Sequence, residues 1–131
     1  MSTILLIEDN PDCAHMVKKL LTPLGYIVIH AANGATGLQL VRQMKRTQDL
    51  HLILLDINLP DISGNAIVFQ IRRAIQLTTS VPIIAFTAEQ SSVAKRIAMA
   101  HGCDGFLSKP IDMQAFPSQI ANYLKLARHY S

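Results

Sequence analysis

The sequence predicts an α/β fold: one parallel sheet of five strands, doubly wound, with helices on both faces. Three observations lead there. Short apolar runs recur along the chain, and each ends at a polar or turn-forming residue, as in Leu52-Ile53-Leu54-Leu55-Asp56. Apolar residues at consecutive positions, rather than alternate ones, mark a strand covered on both faces. Between the runs, apolar residues recur three and four apart, the spacing of one helix face. Strand and helix alternate five times with no repeat or low-complexity linker, a pattern that gives parallel strands joined by right-handed crossovers. At 131 residues the chain has the length of one domain. A domain of that length buries roughly two-thirds of its unfolded surface and folds without a disulfide or metal staple.

The first strand is Ile4-Leu5-Leu6-Ile7, ended by Glu8-Asp9. Asn10-Pro11 reads as a helix cap followed by proline at the first helical position. Ala14, Val17, Leu20, Leu21 and Leu24 form the inner face of that helix, and Gly25 ends it. Tyr26 to Ile29 is the second strand, rich in β-branched residues. Asn33-Gly34 breaks it, and a second helix over Ala35 to Lys45 carries Leu38, Val41 and Met44 inward. The third strand runs from Leu52 to Asp56. Turn formers follow as far as Gly64. The third helix, Asn65 to Ile75, turns Ile67, Val68, Ile71 and Ile75 to the core, and Thr78-Thr79-Ser80 is a loop. Val81 to Phe86 is the fourth strand, with Pro82 at its start because proline cannot donate to a ladder. Thr87 ends it. Glu89 to His101 is a fourth helix with Val93, Ile97 and Ala100 inward, closed by Gly102. Gly105 to Ser108 is a short fifth strand leading to Lys109-Pro110. Asp112 caps a last helix bearing Phe116, Ile120, Tyr123, Leu124 and Leu126. Pro117 conflicts with a helix starting at Asp112, so either the helix begins later or its first turn is distorted.

Composition excludes several classes. Half the residues are hydrophobic and 16% are charged, which argues against disorder. No run approaches the ~20 apolar residues of a membrane span. The start of the chain lacks the pattern of a signal peptide. Cys13 and Cys103 form no metal or disulfide spacing, fit a reducing cytoplasm, and read as small buried hydrophobes. The net charge is +3, but 11 of the 12 basic residues fall in or at the ends of helical segments as scattered singles and pairs. That distribution describes solvated helix faces rather than a nucleic-acid footprint. The five histidines show no metal-ligand spacing. The acids Glu8, Asp9, Asp12, Asp56, Asp61 and Glu89, by contrast, lie at or just after the ends of apolar runs.

Parallel strands bring their carboxyl ends to one edge, where such sheets bind ligands. Glu8-Asp9, Asp56, Thr87 and Lys109 stand at four of those ends. Carboxylates gathered there repel one another and raise one another's pKa unless a cation is present. Hard oxygen donors with few fixed ligands suit Mg²⁺. A carboxylate nucleophile, a metal that cancels charge, and a hydroxyl and an ammonium for the anionic oxygens are the parts phosphoryl transfer requires. Taken singly, Thr87 would read as a helix cap and Lys109 as a solvated lysine. Their coincidence with the acids is what singles them out.

These residues carry a resemblance. Leu6-Ile7-Glu8-Asp9-Asn10, Leu54 to Gly64, Phe86-Thr87-Ala88 and Gly102 to Pro110, in that order at the strand ends, resemble the receiver domain of two-component response regulators, over Ile4 to about Leu126. The resemblance implies a CheY-like, flavodoxin-like (βα)5 domain spanning residues 1–131. It implies a cytoplasmic single-domain regulator with no output domain, whose signal leaves by binding. Asp56 would be the phosphoacceptor, taking its phosphoryl group from the phosphohistidine of a sensor kinase or a histidine phosphotransfer protein. Asp9, Asp56 and the main-chain carbonyl of Asn58 would hold Mg²⁺, with Glu8 acting through water. Lys109 and Thr87 would bind phosphoryl oxygens, and Lys109-Pro110 would be a cis peptide. Thr87 and Phe106 would form the switch that alters the face made by the fourth helix, fifth strand and fifth helix. That face would bind a downstream protein, or a second copy once phosphorylated. Asn58 and Glu89 would flank the path of the hydrolytic water and set the lifetime of the phosphate. Phe106 lacks the hydroxyl a tyrosine would offer in the inward position. Beyond self-catalysed phosphotransfer and dephosphorylation, the resemblance implies no enzyme.

Two rival readings bear on this. A receiver fold acting without phosphorylation would share the strands and helices but not need the pocket. A phosphohydrolase with an aspartate nucleophile would carry an Asp-x-Asp-x-Thr motif, which Asp56-Ile57-Asn58-Leu59-Pro60 lacks. No glycine-rich phosphate loop is present.

Overall fold

In the computed structural model, residues 2–44, 50–75, 81–88 and 92–128 are described. Among these residues five strands and five helices alternate: β1 (Thr3–Ile7), α1 (Pro11–Leu21), β2 (Ile27–Ala31), α2 (Gly34–Gln43), β3 (Leu52–Asp56), α3 (Gly64–Ile75), β4 (Ile83–Thr87), α4 (Ser92–Ala100), β5 (Gly105–Ser108) and α5 (Phe116–Arg128). All neighbouring strands are parallel, in the order β2-β1-β3-β4-β5.

Strand alternation, hidden in the continuous apolar runs, divides the core into two layers. Leu5, Ile7, Ile53, Leu55, Ile83 and Ala85 face α2, α3 and α4, meeting Leu38, Val41, Ile67, Val68, Ile71 and Ala98. Ile4, Leu6, Leu52, Leu54, Ile84 and Phe86 face α1 and α5, meeting Ala14, Val17, Leu21, Phe116 and Ile120. β3 is buried along its whole length, as the apolar run predicts.

The structure corrects several element readings. α1 stops at Leu21 because Pro23 has no N–H to continue the ladder. A 3-10 turn, Thr22–Leu24, follows, and Gly25 reverses the chain at φ 95. Leu24 is therefore 57% exposed, not core. β2 runs later than expected, to Ala31, because its pairing with β1 continues from Thr3–Ile27 to Ile7–Ala31. α2 and α3 each begin one residue earlier than predicted, at Gly34 and Gly64, and α2 ends at Gln43. Val81 and Pro82 precede β4, and Thr87 is its last residue rather than the residue after it.

Among the described residues α4 covers Ser92–Ala100 and presents Ala98 to the sheet. Val93 and Ile97 are 55% and 43% exposed, and Ala100 is exposed as well. A small residue lets the helix approach closely, so the branched side chains expected inside lie outside. At α5, Asp112 caps a turn, accepting from the N–H groups of Gln114 and Ala115, and regular helix starts at Phe116. Pro117 is thus the second helical residue, where its missing N–H is harmless. Lys45, Thr78 to Ser80 and Glu89 lie outside the described residues, as do the side chains of Ile75 and Leu126.

Two charged side chains tie the loops to the frame. Arg72, expected on a solvated helix face, is instead a half-buried clamp. It donates to the carbonyls of Val81 at 2.8 Å and Gly102 at 2.9 Å and pairs with Asp104. Asp104 in turn accepts from the N–H of Ile83 at 2.8 Å. On the edge strand β5, the Tyr123 hydroxyl of α5 lies 3.3 Å from both the N–H and the carbonyl of Phe106.

Candidate functional site

The sheet order reverses between β1 and β3, since β2 lies on the far side of β1. Parallel sheets open a crevice beyond their carboxyl ends at such a switch point. Register places Ile7 beside Leu55, Asp56 beside Phe86 and Thr87 beside Ser108, so the residues ending β1, β3, β4 and β5 share one edge.

Glu8, Asp9 and Asp56 meet there, each offering a carboxylate oxygen within 4.8 Å of the others. Glu8 and Asp56 are buried and Asp9 is exposed. The Lys109 ammonium forms an ion pair with Glu8 and lies 3.4 Å from Asp56 Oδ2. It also stands 5.2 Å over the Phe86 ring. The Asn58 N–H donates to Asp56 Oδ1 at 2.9 Å, and the Asn58 side-chain amide donates to Thr87 Oγ1 at 3.2 Å. The Lys109-Pro110 peptide bond is cis.

Burial and a hydrogen bond shared with Glu8 push the Asp56 carboxyl above the usual carboxylate range, against the pull of the Asn58 N–H and Lys109. Burial works to lower the Lys109 ammonium, yet its hydrogen bond to Glu8 and the charge of Asp56 raise it overall. Three carboxylates and one ammonium leave two negative charges when all are ionised. That excess, set in oxygen donors, fits a divalent cation such as Mg²⁺.

Of the residues singled out in the sequence, Glu8, Asp9, Asp56, Asn58, Thr87 and Lys109 are brought together. Phe106 is half-buried on β5, paired in register with Ala85. Asp12 and Asp61, grouped with the acids above, are not in the cluster. Asp12 lies in the first turn of α1. Asp61 accepts from the N–H groups of Gly34 and Ala35 at 2.9 Å each, which holds its carboxyl below the usual range. It ties the loop after β3 to the start of α2, a contact across 26 residues that no local pattern signals. Cys13 is half-buried rather than buried. Burial, then a hydrogen bond to Glu8, pushes its thiol up to about 12. His30, on β2, has its Nε2 2.7 Å from the carbonyl oxygen of Glu8.

The family model of the response regulator receiver domain matches residues 4–121. The chain belongs to this family. As a receiver it is 30% identical, over 122 residues, to the polar-differentiation response regulator DivK of Brucella anthropi, covering 93% of this chain and 95% of that protein. It is 31% identical over 121 residues to the TorCAD operon transcriptional regulatory protein TorR of Escherichia coli, covering 92% of this chain and 49% of TorR. The receiver spans about half the length of the first curated relatives it matches. Among solved structures it is similar to the chemotaxis protein CheY4 of Vibrio cholerae, with 27% identity, a TM-score of 0.81 and coverage of 94% and 98% of the two chains. It is also similar to the receiver domain of a Pseudomonas aeruginosa sensor histidine kinase that has a magnesium ion coordinated in its active-site cleft. There the identity is 26%, the TM-score 0.79 and the coverage 95% and 98%. The fold is therefore the CheY-like, flavodoxin-like one, and the chain is a receiver domain of two-component signalling. None of its described helices is long and apolar enough to cross a membrane.

Proposed function

We propose that this receiver accepts a phosphoryl group on Asp56 from the phosphohistidine of a sensor kinase or histidine phosphotransfer protein, in a reaction that requires Mg²⁺. The observation that carries the reading is the placement of Asp56. Its carboxylate ends the central strand between two further acids, with the Lys109 ammonium 3.4 Å away and Thr87 linked through Asn58. An Asp56 oxygen bonds to phosphorus as the bond from phosphorus to the donor imidazole breaks, and that imidazole takes up a proton. Asp9, Asp56 and the Asn58 carbonyl would hold the cation directly, and Glu8 through water. Bound there, Mg²⁺ supplies charge neutralisation to the transferring group. Lys109 and the Thr87 hydroxyl would meet two of its oxygens.

The phosphorylated form is read at the face of α4, β5 and α5. The exposed Val93 and Ile97 and the half-buried Phe106 support a protein partner there, or a second copy of the chain. Asn58 and Glu89 would keep the phosphate short-lived, so exchanging either for a bulky or basic residue lengthens its half-life; an unchanged half-life counts against that role. The primary test is incubation with acetyl phosphate, with and without Mg²⁺, read by intact mass beside Asp56→Asn. A Mg²⁺-dependent gain of one phosphoryl group that the variant lacks is expected. No gain under any condition would leave the fold standing and favour a receiver that binds its partners unmodified.

A further inference from the structure

We propose that His30 is a positioning residue for the divalent-cation end of the pocket, holding the Glu8–Asp9 peptide through its imidazole. The inference rests on the proposed function. β1 ends at Ile7, and the Glu8 N–H still finds a strand-like partner in the Ala31 carbonyl at 3.0 Å. The Glu8 carbonyl has passed the end of the ladder, and the imidazole of His30 at 2.7 Å takes the place of the next strand residue. A carbonyl oxygen only accepts, so His30 Nε2 carries the hydrogen, in the neutral ring and the charged ring alike. Both polar groups of Glu8's backbone are therefore fixed to β2.

Alternation puts His30 on the same side of β2 as Val28, which packs in the α1 layer. From there it reaches the loop without crossing the sheet. The peptide it holds joins the two acids that do not accept the phosphoryl group. Glu8 is fully buried and set by its ion pair with Lys109, whereas Asp9 is exposed and follows the direction of the peptide before it. A rotation about that peptide would move the Asp9 carboxylate away from Asp56. Groups that orient ligands in this way commonly change metal affinity by about tenfold or more when removed.

The test is Mg²⁺ titration by calorimetry on wild type, His30→Leu and His30→Gln, with the apo melting temperature recorded for each. His30→Leu is expected to bind Mg²⁺ about tenfold more weakly, and His30→Gln, which keeps a side-chain N–H donor, to recover most of the loss. In acetyl phosphate labelling, His30→Leu should need about tenfold more Mg²⁺ for half-maximal rate yet reach the wild-type rate at saturation. Equal Mg²⁺ affinity in wild type and His30→Leu overturns the inference. So does equal weakening in both variants, which would assign the effect to ring shape rather than to the hydrogen bond. If His30→Leu does not fold, His30→Gln against His30→Thr makes the same comparison. Failure of the wild-type protein to bind Mg²⁺ is a separate outcome that overturns the proposed function itself.

Discussion

Gly105→Ala should destabilise the protein, and the same substitution should become harmless once Tyr123 is shortened. A Cβ at position 105 would meet the Tyr123 ring, lying 2.6 Å from Cζ and 2.8 Å from the hydroxyl oxygen. Its three nearest atoms all belong to that side chain. Gly105 is a strand residue with no positive φ, so only this space, and not its backbone, demands glycine. The ring cannot yield freely, because its hydroxyl is held by both the N–H and the carbonyl of Phe106. Overpacking of this kind costs about 1–3 kcal/mol. Taking about 2 kcal/mol, the melting temperature of a domain this size should fall by roughly 7 °C. In a Tyr123→Ala background the Cβ has room. There Gly105→Ala should be neutral or stabilise by about 0.5 kcal/mol, through the smaller entropy lost on folding. Urea denaturation of the four proteins in this cycle measures the coupling, which should be about 2 kcal/mol in magnitude. Additive effects, with no reversal of sign, would refute the claim that Tyr123 dictates the residue at 105.

Other substitutions test separate parts of the molecule. Arg72→Ala removes the clamp on Val81, Gly102 and Asp104 and should cost about 2 kcal/mol by urea denaturation, with Arg72→Lys recovering little because one ammonium cannot reach three acceptors in a fork. Asp61→Asn weakens the tie to the start of α2. The carboxyl of Asp61 is depressed in the fold, so its stabilisation is present above the unfolded value of 3.8 and lost as pH falls below it. The variant should lose stability at pH 7 and show a flatter decline between pH 4 and pH 2, followed by thermal melts. Lys109→Gln leaves Glu8 and Asp56 facing each other without a cation and should cost about 2 kcal/mol at pH 7.5, less than for a fully enclosed pair because the lysine is partly exposed. Without Lys109 the raised Asp56 carboxyl rises further, so its protonated form stabilises the fold at low pH and the loss should shrink towards pH 5. A loss independent of pH would argue that the lysine stem, rather than its charge, is what matters.

The strands were legible because burial on both faces leaves an unbroken apolar run, and the polar residue ending each run marked the site edge. Glu8, Asp9, Asp56, Thr87 and Lys109 could be named from that alone. The helix faces were less legible where small residues make the contact. α4 buries Ala98 and leaves Val93 and Ile97 outside, although hydrophobicity ranks them the other way. Contacts between distant elements left no trace. Asp61, in the turn segment after β3, serves the N-terminus of a distant helix, a role its local setting does not reveal. Arg72 looked like any exposed basic residue because two of its acceptors are main-chain carbonyls, which every sequence contains, and the third, Asp104, lies 32 residues away.

The pocket is arranged so that one cation already belongs to the protein. Lys109 pairs with Glu8, the buried acid that Asp56 must otherwise repel, and stands within reach of Asp56 itself. The ammonium thus offsets the repulsion between two buried acids at adjacent strand ends. The exposed acid, Asp9, has no such need, because water solvates it. The cluster therefore has an inner half partly neutralised from within and an outer half open to an ion from solution. An incoming phosphoryl group, itself anionic, adds charge that the lysine alone cannot balance while it remains shared with Glu8. A divalent cation at Asp9 and Asp56 would supply that balance and free Lys109 to turn from Glu8 to the phosphoryl oxygens. On the proposed reading, a dependence on Mg²⁺ would follow from the number of charges at the edge of the sheet, and the aim of the Asp9 carboxylate would set the concentration at which that dependence is satisfied.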